Sequence, residues 1–172
     1  MKKIILPLVI LSVMMAMGCD NRSDSTVAAT ERGKLLSSEK LLTLSAAELA
    51  LVFNLSGINS IVPTYGFTVY KIVYDTIDPW GNAVDASGAI SIPLGLTTAP
   101  VVSLQHGTIS KNSEAPSAGG VTTLIGASLA TFGYIIAMPD YLGFGASSAI
   151  LHPYLHEETM ASASLDMLRA GM

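Results

Sequence analysis

Gly133-Tyr134-Ile135-Ile136-Ala137-Met138-Pro139-Asp140-Tyr141-Leu142-Gly143-Phe144-Gly145 is the stretch that decides the fold. Tyr134 to Met138 is a continuous apolar run of strand length, without the alternation of a half-exposed strand. Such a run belongs to a strand covered on both faces, as in a parallel sheet flanked by helices. Pro139 ends it, and a loop rich in Gly, Ser and Pro runs on to Tyr154.

The same pattern recurs on either side. Upstream, Pro100-Val101-Val102-Ser103-Leu104-Gln105 reads as a second buried strand. It is followed by His106-Gly107-Thr108, a polar loop over 108–117, and a short apolar helix from Val121 to Thr131 that Gly133 stops. Downstream, Glu157 to Ala170 reads as a helix. Glu157 and Glu158 suit its positive end, Arg169 its negative end, and Gly171 is the stop. Strand, helix, strand, helix at this spacing predicts an α/β class with right-handed crossovers and a parallel sheet.

Before this unit the pattern is that of a hairpin. Thr64 to Asp75 is rich in β-branched and aromatic residues. Asp78-Pro79-Trp80-Gly81-Asn82 is a turn, and Ser87 to Pro93 is the antiparallel return strand. Ser37 to about Phe53 predicts a helix. Ser45 and Glu48 make a capping box, and Leu49, Val52 and Phe53 share a face.

The chain begins with Lys2 and Lys3, an apolar run from Ile4 to Met17, and Gly18-Cys19. That run is shorter than the roughly 18 to 20 residues that span a bilayer, and it fits an export signal over residues 1–18. Cys19 is the only cysteine, so no intrachain disulfide forms. A lone Cys after a small residue at the end of such a run resembles a bacterial lipoprotein signal. The resemblance implies lipidation of Cys19 and a cell-envelope location. Residues 19–36 are then expected to form a flexible leash, and 37–172 the folded domain.

The formal charge is −4, with 13 acidic against 9 basic residues. Without Lys2 and Lys3 the balance is more acidic still. That argues against nucleic acid, which needs clustered Lys and Arg. Nothing in the sequence fixes an oligomeric state.

Ligands of open α/β sheets bind beyond the carboxyl ends of the strands. Two loops leave such ends, and both carry unusual residues. In His106-Gly107-Thr108 the Gly lets the backbone turn so that N–H groups face a cleft. Donors of that kind form an oxyanion hole, and losing one typically costs about 3 kcal/mol of transition-state stabilisation.

Leu104-Gln105-His106-Gly107-Thr108, Gly133 to Gly145, His152-Pro153-Tyr154-Leu155 and Leu165-Asp166-Met167-Leu168-Arg169-Ala170, in this order, resemble bacterial secreted lipase- and esterase-like α/β-hydrolases. The resemblance covers about residues 40 to 172. It implies an incomplete α/β-hydrolase fold, with an N-terminal β-hairpin and the first parallel strands and helices. It also implies a carboxylic ester hydrolase acting on a small ester or lipid, without metal or organic cofactor. The Thr108 N–H would be an oxyanion donor, with Gly107 shaping the turn. His106, Asp140, Tyr141, Gly143 and Gly145 would support the loops and pocket, Asp140 by bonding the N–H groups of its own loop.

The catalytic nucleophile, acid and base are expected to be absent from this chain, which would leave the fragment inactive. The strand at 134–138 is expected to present the open edge on which the nucleophile strand would pair. His106 lies upstream of any nucleophile, whereas the order in this fold is Ser, acid, His. Gly126-Ala127-Ser128-Leu129-Ala130 approaches a nucleophile elbow but lacks its final Gly and room for the following helix. His152 and His156 could join Asp140 on a metal, but Pro153 spoils helical spacing. Gly143 to Ser148 has no Lys for a phosphate loop. A serine peptidase of the prolyl-oligopeptidase type and a non-catalytic lipoprotein binding module remain the alternatives.

Overall fold

The computed structural model describes residues 32–172. The expected export signal over 1–18, Cys19 and most of the leash lie outside the described residues. The elements run β1 (Leu35–Leu44), α1 (Ala46–Leu55), β2 (Phe67–Ile77), β3 (Ala83–Pro93), β4 (Val101–Ser103), α2 (Val121–Ala127), β5 (Ile135–Pro139) and α3 (Glu157–Gly171). The sheet order is β1-β2-β3-β5-β4. β1, β2 and β3 are antiparallel neighbours, β5 is antiparallel to β3, and β4 is parallel to β5. The hairpin, the parallel pair and both flanking helices stand where the sequence places them.

Side-chain alternation builds two cores, one on each face. Phe67 and Val69 of β2, Ala89 of β3, and Ile136 and Met138 of β5 meet Leu49 of α1 and Ala127 of α2. The intervening residues Ile72, Tyr74, Ala86, Ile90 and Ala137 meet Met167 of α3 and Leu142. Tyr74 also donates its hydroxyl to the Ala163 carbonyl at 2.8 Å, so the phenol is buried with its polar end satisfied.

Three expectations are corrected. Residues 35–44 form a strand, not the first half of a helix. Glu48 does close a capping box on Ser45, and the helix starts only there. The composition of Leu35 to Leu44 suits a helix, but pairing with β2 overrides propensity.

The leash also ends sooner than residue 36. The Gly33 N–H donates to the Asp75 carbonyl at 3.2 Å, and the Arg32 Nε lies 3.6 Å from the buried Asp166 carboxylate. Asp166 also accepts from Thr76 at 2.7 Å and from Arg169 at 2.6 Å, so the segment is seated by α3 and β2 together.

Third, β5 is not an edge. It lies between β3 and β4, because the crossover through α2 places β5 inside β4. Among the described residues the open edge on that side is β4.

Candidate active site

The carboxyl ends of β4 and β5 deliver two loops to one place. Beyond β4, His106 is half-buried while Gly107 and Thr108 are exposed. The His106 ring lies 4.7 Å from the Tyr141 ring. Its Nδ1 is 2.7 Å from the Gly107 carbonyl and its Nε2 3.1 Å from the Asp140 carbonyl. Both partners are acceptors, and a neutral imidazole donates to one of them at a time. His106 therefore packs on Tyr141 and bonds beneath its loop.

Thr108 Oγ1 lies 3.0 Å from the Tyr154 hydroxyl. Among the described residues no protein group accepts from the Thr108 N–H. This residue, His106, Gly107, Tyr141, Phe144, His152 and Tyr154 line a half-open cleft of about 210 Å³. The wall formed by Phe144, His152, Tyr154, Leu155 and Met160 was not legible from periodicity, because an irregular loop and the start of α3 supply it. The aromatic residues within 152–154 were its one sequence signal.

Beyond β5, Asp140 is fully buried. One oxygen accepts from the Ser117 N–H at 2.8 Å and the other from the Ser87 hydroxyl at 2.5 Å. Ser87 in turn accepts from the Ala146 N–H at 2.8 Å. Asp140 thus ties neighbouring elements and reaches its own loop only through Ser87. That differs from the expected direct bonds. Two glycines follow from close approach. Gly145 (φ +57) sits against the Ser87 hydroxyl and the Asp140 carboxylate, leaving no space for a Cβ. Gly143 (φ +89) passes over the His152 backbone in the same way. His152 Nδ1 lies 2.5 Å from the Leu142 carbonyl and its ring packs tilted against Phe144, centroids 4.9 Å apart.

Tyr141 is a bulky residue at φ +62, an outlier for its type. Burial raises its phenol above the ordinary value of 10.0.

Other sequence candidates do not join this cluster. Ser128 donates to the Ile125 carbonyl at 2.7 Å, as a helix residue does. His156 caps α3, its Nδ1 accepting from the Thr159 N–H at 3.4 Å. Among the described residues no serine hydroxyl is bonded to a histidine ring, and no three His, Cys, Asp or Glu are grouped to hold a metal ion. Nor is any described helix long and apolar enough to cross a membrane.

No protein-family model and no curated protein matches the chain. Solved structures do. A Legionella pneumophila protein provisionally described as a hydrolase is 32% identical, with TM-score 0.70, over 80% of this chain and 38% of that one. A ligand-bound form of the rice cell wall degrading esterase LipA from Xanthomonas oryzae is 30% identical, with TM-score 0.70, over 81% of this chain and 37% of that one. Candida antarctica lipase A in its closed state, at 16% identity and TM-score 0.50, shares the fold alone. The chain therefore carries part of an α/β-hydrolase fold, and it spans less than two-fifths of the length of these structures.

Proposed function

We propose that this chain is the oxyanion-binding portion of a serine hydrolase of carboxylic esters, exported and tethered to a membrane through a lipid on Cys19. The observation that carries the reading is Thr108. It stands beyond the carboxyl end of β4, lines the cleft, and has an N–H without a protein acceptor among the described residues. An oxyanion donor needs that arrangement, since it bonds only the charge that develops during reaction. The likeness to LipA, an esterase, supports the same chemistry.

In the reaction proposed, a serine hydroxyl attacks the ester carbonyl and a histidine takes its proton. The carbonyl oxygen, now negative, is held by the Thr108 N–H and by a second donor next to the nucleophile. Collapse expels the alkoxide, which takes that proton from the histidine and leaves as the alcohol, and water repeats the sequence on the acyl-enzyme. The substrate class is a small ester or a lipid, and no cofactor enters. His106 and Asp140 shape the site and move no proton.

The test uses a protein that continues past Met172 into a Gly-x-Ser-x-Gly segment. There Gly107→Val is expected to cut turnover of a short p-nitrophenyl ester at least tenfold with the fold retained. Activity within twofold of the parent removes this loop from the oxyanion hole. The 172-residue chain alone is expected to show only background hydrolysis. Activity lost on Ser128→Ala would overturn the reading of Ser128 as a helix residue.

A further inference from the structure

The His106-Gly107-Thr108 loop is held by side chains. The last backbone bond of β4 runs from the Leu104 N–H to the Ala137 carbonyl at 2.8 Å. Among the described residues, none of 105–109 makes a backbone-to-backbone hydrogen bond. Two supports are His106 beneath the loop and the Thr108–Tyr154 contact above it. The third is Gln105, whose carboxamide is engaged at both ends.

Gln105 Nε2 donates to Ser103 Oγ at 2.6 Å, and Oε1 accepts from the Tyr141 hydroxyl at 2.6 Å. The Ser164 hydroxyl also lies 3.2 Å from Oε1, but it is closer, at 2.8 Å, to the Met160 carbonyl. One proton cannot serve both well, so Tyr141 is the firm partner.

Tyr141 has need of a partner. A non-glycine residue held in the left-handed region is strained and persists only where its surroundings over-determine it. Here the surroundings are the Gln105 amide at the hydroxyl and the His106 ring against the phenol. We propose that Gln105 is a positioning residue. By fixing the Tyr141 hydroxyl it holds the surface on which His106 rests, and so sets the place of Gly107 and Thr108. The importance of this for catalysis rests on the oxyanion reading, but the placement itself does not.

Gln105 is exposed, and water competes for its bonds. Its loss is therefore expected to loosen the loop without unfolding the domain. The experiment is backbone ¹⁵N relaxation on the full chain in detergent micelles, comparing wild type, Gln105→Leu and Gln105→Glu. Leu removes both bonds. Glu keeps an acceptor for Tyr141. In Gln105→Leu the order parameters of Gly107, Thr108 and Ile109 are expected to fall from about 0.85 to below about 0.6. Those of β2 and β3 should stay unchanged, and Gln105→Glu should stay close to wild type.

An ordered loop in Gln105→Leu overturns the proposal. So does loss of order throughout the sheet, which would make Gln105 a general structural residue. Equal loosening in both variants also overturns it, because the route would not pass through Tyr141. Should Gln105→Leu fail to fold, Tyr141→Phe removes the same bond from the other side, and an ordered loop there overturns it equally. None of these readouts depends on ester turnover, so a failure of the oxyanion reading is seen separately in the Gly107→Val assay.

Discussion

The Ser87 hydroxyl donates to the Asp140 carboxylate at 2.5 Å, and both residues are completely buried. Fifty-three positions of sequence separate them. The bond joins the middle of β3 to the first residue after β5. Because the carboxylate also accepts from Ser117, and Ser87 also accepts from Ala146, this one pair links β3 and the end of β5 to the turn at Ser117 and the loop at Ala146.

Removing the carboxylate leaves two buried donors unmatched, and each unsatisfied buried group costs about 1–3 kcal/mol. Asp140→Ala is therefore expected to lower stability by about 3 kcal/mol, read from urea unfolding followed by circular dichroism. Ser87→Ala also strands two groups, one Asp140 oxygen and the Ala146 N–H, but it should cost less, since the Ala146 bond is only partly buried and Asp140 keeps its Ser117 donor. Equal losses from the two would contradict the central place given to the carboxylate.

Gly143 and Gly95 make a matched comparison. Both have positive φ, but a Cβ on Gly143 would strike the His152 backbone, while one on Gly95 would meet nothing within 4 Å. The left-handed conformation alone costs an L-residue about 1–2 kcal/mol, and overpacking adds about 1–3 kcal/mol. Gly143→Ala is expected to lower stability by about 3 kcal/mol or more, and Gly95→Ala by about 1 kcal/mol. Indistinguishable unfolding midpoints would show that the loop yields around His152.

The contrast between the two loops explains what the sequence disclosed. β5 was legible because five successive apolar residues leave little choice but burial on both faces, and α3 because its charges match its dipole. β1 was not, since Leu, Lys and Glu favour a helix when isolated and only the partner strand decides otherwise. His106, Gly107, Thr108 and Asp140 could be singled out by their place after strands. Gln105 and the wall from Phe144 to Met160 could not, because their roles come from contacts between segments far apart in the chain.

Tyr74 gives the fold an alkaline limit. Its phenol is raised well above the ordinary value of 10.0, first by burial and then by the negative charges of Asp140 and Asp166. A folded-state value above the unfolded one means that the unfolded chain gives up the proton first. The stabilisation is thus complete below about pH 10 and lost progressively as pH rises beyond it. Tyr141 adds to the same trend. Tyr74→Phe should flatten the loss of stability between pH 9 and 11.5. At pH 7 it should cost about 1 kcal/mol through the lost bond to Ala163. Urea midpoints across that range decide it, and an alkaline limb as steep as in wild type would remove Tyr74 as its source.

The two edges of the sheet differ in protection. β1 carries Glu39 and Lys40 and breaks register twice, between Leu35 and Ser37 and between Lys40 and Leu42. Charges and bulges of this kind discourage pairing with another chain. β4 has neither. Leu104 donates inward to Ala137 and the Pro100 carbonyl accepts inward from Ile135, so alternation along the strand turns the N–H and C=O groups of Val101 and Ser103 outward. Val101 on this edge is 39% exposed, and Ile125 (68%) and Leu129 (39%) line a pocket with Leu104 and Gln105 just past its end. The chain is therefore expected to self-associate through β4 as its concentration rises. Val101→Lys should shift the association midpoint in sedimentation velocity at least threefold toward monomer, while Ser38→Lys on β1 should leave it unchanged. The reverse pattern would place the contact on β1. No effect from either would assign the association to the exposed apolar faces of α1 and α2 instead.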